Sequence, residues 1–143
     1  VSDYAPQVVC FSCSFGWGYL AGQGALAASN PHWLPVVCGG KIEAEQLLAA
    51  FRAGADGILL AVCPVGECHF QDGNLQLTKR VALLEPVLAA HGIQAERLLL
   101  VLNRDPAGEE LPRLVQNFIG RLANLGPLQF TTDALPQGAE SLA

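Results

Sequence analysis

Charge is scarce in this sequence. Asp, Glu, Lys and Arg make up 15% of its 143 residues, against 51% hydrophobic residues, where an average soluble domain carries roughly 25% charged residues. A surface this poor in charge is expected to be partly covered by a partner, so the chain reads as a component of a larger complex. Basic residues are scarcer still: Lys and Arg total 8, and the net charge is −5. Scattered as they are, they form no basic stripe for nucleic acid and no polybasic patch for a membrane surface. No apolar run approaches the roughly 20 residues that span a bilayer; the longest, 58–65, has strand length. No basic segment precedes an apolar one at the start, so no secretory signal is expected and a cytoplasmic location is. Met is absent altogether, which predicts an initiator removed by processing or truncation.

The chain does contain cysteine, five of them. The odd count argues against a closed disulfide framework, and disulfides are not expected in a reducing compartment. Clustered cysteines there point to metal binding or catalysis.

The length fits one domain. Short apolar runs at 7–10, 34–38, 57–63 and 98–102 read as strands, and 19–29, 41–54, 79–91 and 110–125 read as helices. The third strand has no polar alternation, as expected of a strand covered on both faces. The last helix is the most periodic, with Leu111, Leu114, Val115, Phe118, Leu122 and Leu125 in one stripe. Pro86 lies inside the third helix and should bend it or shift its start. Alternating strands and helices with right-handed crossovers predict an α/β fold. It would be a small doubly wound, flavodoxin-like four-stranded parallel sheet with helices on both faces. The domain is expected at 1–126, with 127–143 as a C-terminal tail.

On that fold Cys10, Cys38 and Cys63 end the first three strands, and Cys13 and Cys68 lie in the loops just after. For a strand order 2-1-3-4 all five thiols converge at the carboxyl edge, where such sheets bind ligands. The spacings are Cys10-Phe11-Ser12-Cys13, a lone Cys38, and Cys63-Pro64-Val65-Gly66-Glu67-Cys68. Ordinary packing accounts easily for Cys38 in an apolar strand but poorly for Cys13 and Cys68 in polar, glycine-rich surroundings. A shared metal or cluster site is therefore expected, with four of the five cysteines as ligands. Thiolates suit zinc and iron–sulfur clusters alike. Zinc favours paired knuckles on short ribbons, whereas clusters tolerate irregular spacing. Gly16, Gly18, Gly39, Gly40 and Gly66 could offer N–H groups to sulfur. His69 reads as a loop or neighbouring residue, since four thiolates suffice. Trp17 and Trp33 suit either shielding or packing. Two alternatives stay open: a dithiol oxidoreductase using Cys10 and Cys13, and a zinc-stabilised interaction module. No phosphate-binding loop or Cys-x5-Arg motif is present, so nucleotide binding and phosphatase chemistry are not expected.

At these cysteines the sequence resembles the delta subunit family of methyl-viologen-reducing hydrogenase. The shared features are Cys10-Phe11-Ser12-Cys13-Ser14-Phe15-Gly16, then Cys38-Gly39-Gly40-Lys41, and the run Ala50-Phe51-Arg52-Ala53-Gly54-Ala55-Asp56-Gly57. They continue with Cys63-Pro64-Val65-Gly66-Glu67-Cys68-His69-Phe70, Gly73-Asn74 and Lys79-Arg80-Val81. The resemblance spans about 7–125. Lys41 stands where that family usually has Arg, and Trp17-Gly18-Tyr19 and Asn103-Arg104-Asp105 also depart from its pattern. The resemblance implies a 2Fe–2S cluster relaying single electrons. It implies that the donor is a hydrogenase or formate dehydrogenase, and that the acceptor is a heterodisulfide-reductase-like flavin and iron–sulfur protein. The chain would then be a relay and not the catalyst.

Overall fold

A computed structural model describes residues 4–13, 32–63, 66–68, 71–102 and 109–129. Its strands are β1 (Val8–Cys13), β2 (His32–Val36), β3 (Gly57–Ala61) and β4 (Leu98–Val101), and its helices are α1 (Ala44–Arg52), α2 (Gly73–Ala90) and α3 (Glu110–Leu125). Short 3-10 turns at Gly39–Lys41 and Ala95–Arg97 precede α1 and β4. The strands form one sheet in the order β2-β1-β3-β4, parallel throughout. This is the expected α/β, doubly wound, flavodoxin-like architecture. The helix expected at 19–29 lies outside the described residues.

Burial follows from strand position. β3 is central and buried at every residue, which is why its side chains are apolar on both faces. β2 is an edge strand, largely exposed, and an edge tolerates Pro35, which cannot donate to a ladder. Alternate residues of β1 and β3 serve opposite cores. Phe11, Ile58 and Leu60 face Leu47 and Phe51 of α1 and Leu77, Val81, Leu84 and Leu88 of α2. Val8, Cys10, Leu59 and Ala61 face Leu111, Val115, Phe118 and Leu122 of α3. Among the described residues no helix is long and apolar enough to cross a membrane.

Several boundaries differ from expectation, four of them at the carboxyl edge. β1 runs on to Cys13 instead of ending at Cys10, so Cys13 is the last residue of the strand and not a loop residue. β2 and β3 stop at Val36 and Ala61, which leaves Cys38 and Cys63 just beyond the strand ends. α2 starts at Gly73 instead of Lys79 and runs unbroken through Pro86. Its solvent-facing side carries that proline, and residue 82, whose carbonyl loses its donor, is exposed as well.

The amino edge of the sheet is tied by polar groups. The Arg97 side chain is buried and donates to the backbone oxygens of Asp56 (3.0 Å) and Gly126 (2.8 Å). The Asp56 carboxylate accepts from the N–H groups of Gln7 (2.9 Å) and Leu128 (3.1 Å). The start of the expected tail, at Leu128, is thus fastened to the sheet.

Candidate metal centre

The carboxyl edge is built differently. Cys13, at the end of β1, and Cys63, just past β3, approach each other from adjacent strands, with their sulfurs 3.6 Å apart. Cys38, just past β2, and Cys68, in the connection to α2, bring their sulfurs to 3.9 Å. The Cys13 sulfur also lies 3.7 Å from the carbonyl of Val37, the residue before Cys38, so the two pairs are neighbours. Among the described residues the thiols stand as pairs, and no three or more His, Cys, Asp and Glu side chains close around one point.

Cys10 does not join them. An extended strand sends residues three apart to opposite faces, and Cys10 is fully buried in the core under α3. Burial pushes its thiol up to about 12, which disfavours the free thiolate. The same parity sets Cys10 and Cys13 on opposite faces of β1, which weighs against the Cys10–Cys13 dithiol alternative.

The two pairs differ in environment. Cys13 and Cys63 are buried, whereas Cys68 is half-exposed. Beside Cys38 lies a cavity of about 300 Å3, lined by Val37, Gly40, Lys41, Asp72 and Gly73 among others. Cys38 precedes the 3-10 turn and caps it, its sulfur accepting from the Gly40 N–H at 3.4 Å. This is the geometry of a serine N-cap with sulfur in place of oxygen. Burial raises the Cys38 pKa, the Gly40 hydrogen bond opposes the rise, and the neighbouring Cys68 and Cys13 thiols add to it.

Helix α2 supplies the other wall. A Cβ on Gly73, its first residue, would collide with the Cys38 sulfur and stand 3.4 Å from that of Cys68. The absent side chain is therefore the space the sulfurs occupy. A helix N-terminus carries unpaired N–H groups and the positive end of the dipole, which favours thiolate over thiol. Asn74, also buried, donates its amide to the Cys63 carbonyl at 2.9 Å. Arg80 donates to the carbonyls of Gly40 (3.1 Å) and Ile42 (2.6 Å), on either side of the end of the Cys38 turn. Gly73, Asn74 and Arg80 stand out in the sequence as family-like dipeptides, but nothing in their spacing assigns them a role.

Among the other candidates, Trp33 packs against the α3-side core, so it serves packing. Lys41 lines the cavity beside Cys38. Trp17 and His69, with Gly16 and Gly18, lie outside the described residues.

The donor set fits a metal–sulfur centre. Metal–thiolate bonds of about 2.3 Å in tetrahedral geometry put two sulfurs on one metal about 3.8 Å apart, and the two observed separations bracket that value. The family model of the methyl-viologen-reducing hydrogenase delta subunit matches residues 7–126. The chain belongs to this family. Its relatives include an iron-sulfur subunit of the F420-non-reducing hydrogenase of Archaeoglobus profundus, 31% identical over 90% of this chain and 96% of that protein. The vhc iron-sulfur subunit of the F420-non-reducing hydrogenase of Methanococcus voltae is 30% identical over 87% of this chain and 90% of its own length. The chain also matches one component of the ferredoxin/F420H2-dependent CoB-CoM heterodisulfide reductase of Methanosarcina acetivorans, 28% identical over 94% of this chain but only 17% of that protein. The chain thus matches proteins of about its own length and a segment of a much longer one.

Proposed function

We propose that this protein is a one-electron relay carrying a 2Fe–2S cluster, with Cys13 and Cys63 on one iron and Cys38 and Cys68 on the other. The observation that carries this reading is the pairing of the thiols at 3.6 and 3.9 Å. Each pair provides two corners of a metal's tetrahedron and leaves two for bridging sulfide. A single zinc would instead call for four donors around one point. Cys10 is not a ligand in this assignment.

The bound cluster would supply reversible uptake of one electron. The chain's own groups set the conditions for it. Burial of Cys13 and Cys63 keeps water from one side. The Gly40 N–H and the N-terminus of α2 stabilise negative charge on Cys38 and Cys68, on the side that opens to the cavity. Hydrogen bonds to sulfur and solvent exposure are established controls of cluster potential.

The relatives' names support a place in a hydrogenase–heterodisulfide reductase assembly. The donor is a hydrogenase or, by family resemblance, a formate dehydrogenase. The acceptor is a heterodisulfide-reductase-like flavin and iron–sulfur subunit. The chain relays electrons and does not itself catalyse the end reactions. A reducing cytoplasm suits its five free cysteines. The cluster domain is placed at 1–126, with 127–143 as an appended segment.

The test is anaerobic purification, iron and sulfide analysis, and EPR of the dithionite-reduced protein. About two irons and two sulfides with a spin-half signal is the expected result. A colourless protein after reconstitution refutes the cluster, and only one that holds zinc returns the zinc module.

A further inference from the structure

We propose that Arg80 is a positioning residue for the Cys38–Cys68 half of the site: it clamps the 3-10 turn that aims the Gly40 N–H at the Cys38 sulfur. Its redox consequence rests on the relay reading above; the clamp itself does not.

The turn Gly39–Lys41 is short, closed by the Lys41 N–H on the Cys38 carbonyl (2.9 Å) and the Ile42 N–H on the Gly39 carbonyl (3.1 Å). Such a turn is too brief to hold its own geometry, because 3-10 hydrogen bonds are poorly aligned and runs of them stay short. The carbonyls of Gly40 and Ile42 take no part in those closing bonds, and a single Arg80 nitrogen donates to both, at 3.1 and 2.6 Å. Arg80 stands on α2, about two turns on from Gly73. One helix therefore both abuts the sulfurs through its first residue and fixes the backbone that carries one of them. The guanidinium also brings a positive charge to a site that becomes anionic when loaded. Arginine suits this because its planar fork is preorganised and always charged.

Clamp and charge can be separated. Arg80→Met removes both, and Arg80→Lys keeps the charge on a flexible point donor. In the reduced, metal-free protein the clamp predicts that the Gly40 amide exchanges about tenfold faster in both variants, as loss of a charge-assisted hydrogen bond implies. The amides of β3 and α3 should keep their wild-type rates. In loaded protein, Arg80→Met should shift the cluster potential to a more negative value and alter the EPR g-tensor. Arg80→Lys should recover part of the potential but not the g-tensor.

Full recovery of potential and g-tensor by Arg80→Lys, with Gly40 exchange unchanged, would reduce Arg80 to a distant charge and overturn the clamp. Equal acceleration of all amides would make it a general stability residue and also overturn the clamp. Wild-type protein that takes up no iron would defeat the relay reading, while the metal-free exchange experiment would still decide the clamp.

Discussion

The two edges of this sheet fasten the chain by opposite means. At the amino edge, a buried arginine and a carboxylate gather the backbone groups of Gln7, Asp56, Gly126 and Leu128. Those backbone groups find protein partners in side chains of the same edge. At the carboxyl edge, four thiols face one another in pairs, with sulfur–sulfur contacts that satisfy little. Thiol hydrogen bonds are weak, so that edge is held by weaker polar contacts than the amino edge. The division of labour follows from parallel strands, whose carboxyl ends are where ligands collect.

The sharpest way to break the contrast is to damage the amino edge alone. Arg97→Met would orphan two carbonyls at about 1–3 kcal/mol each, so about 2–6 kcal/mol of stability should disappear in urea unfolding. The cluster's EPR signal in the surviving folded protein should not change; a changed signal would mean that the two edges are coupled. The next largest effect belongs to Gly73→Ala, whose new methyl collides with the Cys38 sulfur. Its affinity for iron on reconstitution should fall on the order of 10- to 100-fold, the usual scale for disturbing the surroundings of a metal ligand. Thermal unfolding of the metal-free variant should move much less than its iron affinity.

A smaller effect is expected for Asn74→Ala, which leaves the Cys63 carbonyl without that amide. The cost should be about 1–3 kcal/mol, visible as earlier loss of colour than of helix signal when loaded protein is heated. The smallest effect tests the two faces of β1. Cys10→Ala should retain full iron and sulfide and lose about 1 kcal/mol or less on packing grounds. In folded, metal-free protein Cys10 should also resist iodoacetamide. Its thiol is pushed up to about 12, so the reactive thiolate stays negligible from neutral pH to about pH 10 and rises only beyond that. Cys68, half-exposed, should label first. Rapid labelling of Cys10 at pH 8 would contradict its place in the core.

Much of this architecture is legible in the sequence. The parallel sheet follows from the alternation of strands and helices, the order 2-1-3-4 on which the convergence of the thiols depends is the observed one, and α3 is bounded to the residue because Leu111, Val115, Phe118 and Leu122 repeat cleanly against a polar remainder. The misses cluster at the site, where packing overrides local preference. α2 begins at a glycine because a sulfur occupies the space of its Cβ, and no propensity scale encodes that. β1 extends through Ser12 and Cys13 because both are buried at the sheet's end, although neither reads as a typical strand residue. That extension also decides the role of Cys10. Once the strand reaches Cys13, alternation alone puts the two cysteines of the CxxC motif on opposite faces. Which thiol pairs with which depends on strand adjacency and on where each strand stops, and both are properties of the whole sheet.

The separation of the paired residues along the chain has a kinetic consequence. Cys13 and Cys63 are 50 positions apart, and Cys38 and Cys68 are 30 apart. The chain segments they close overlap, so neither pair can be completed inside an isolated hairpin or helix. Non-local parallel pairings are slow to form because loop closure must precede any reward. The thiols therefore meet only in a chain that has already found its topology, and a half-folded or truncated chain presents scattered sulfurs instead of a cradle. On the proposed function, cofactor insertion would work as a checkpoint on folding: only molecules whose sheet is complete would take up metal, and the bound metal would in turn withdraw them from the unfolding equilibrium.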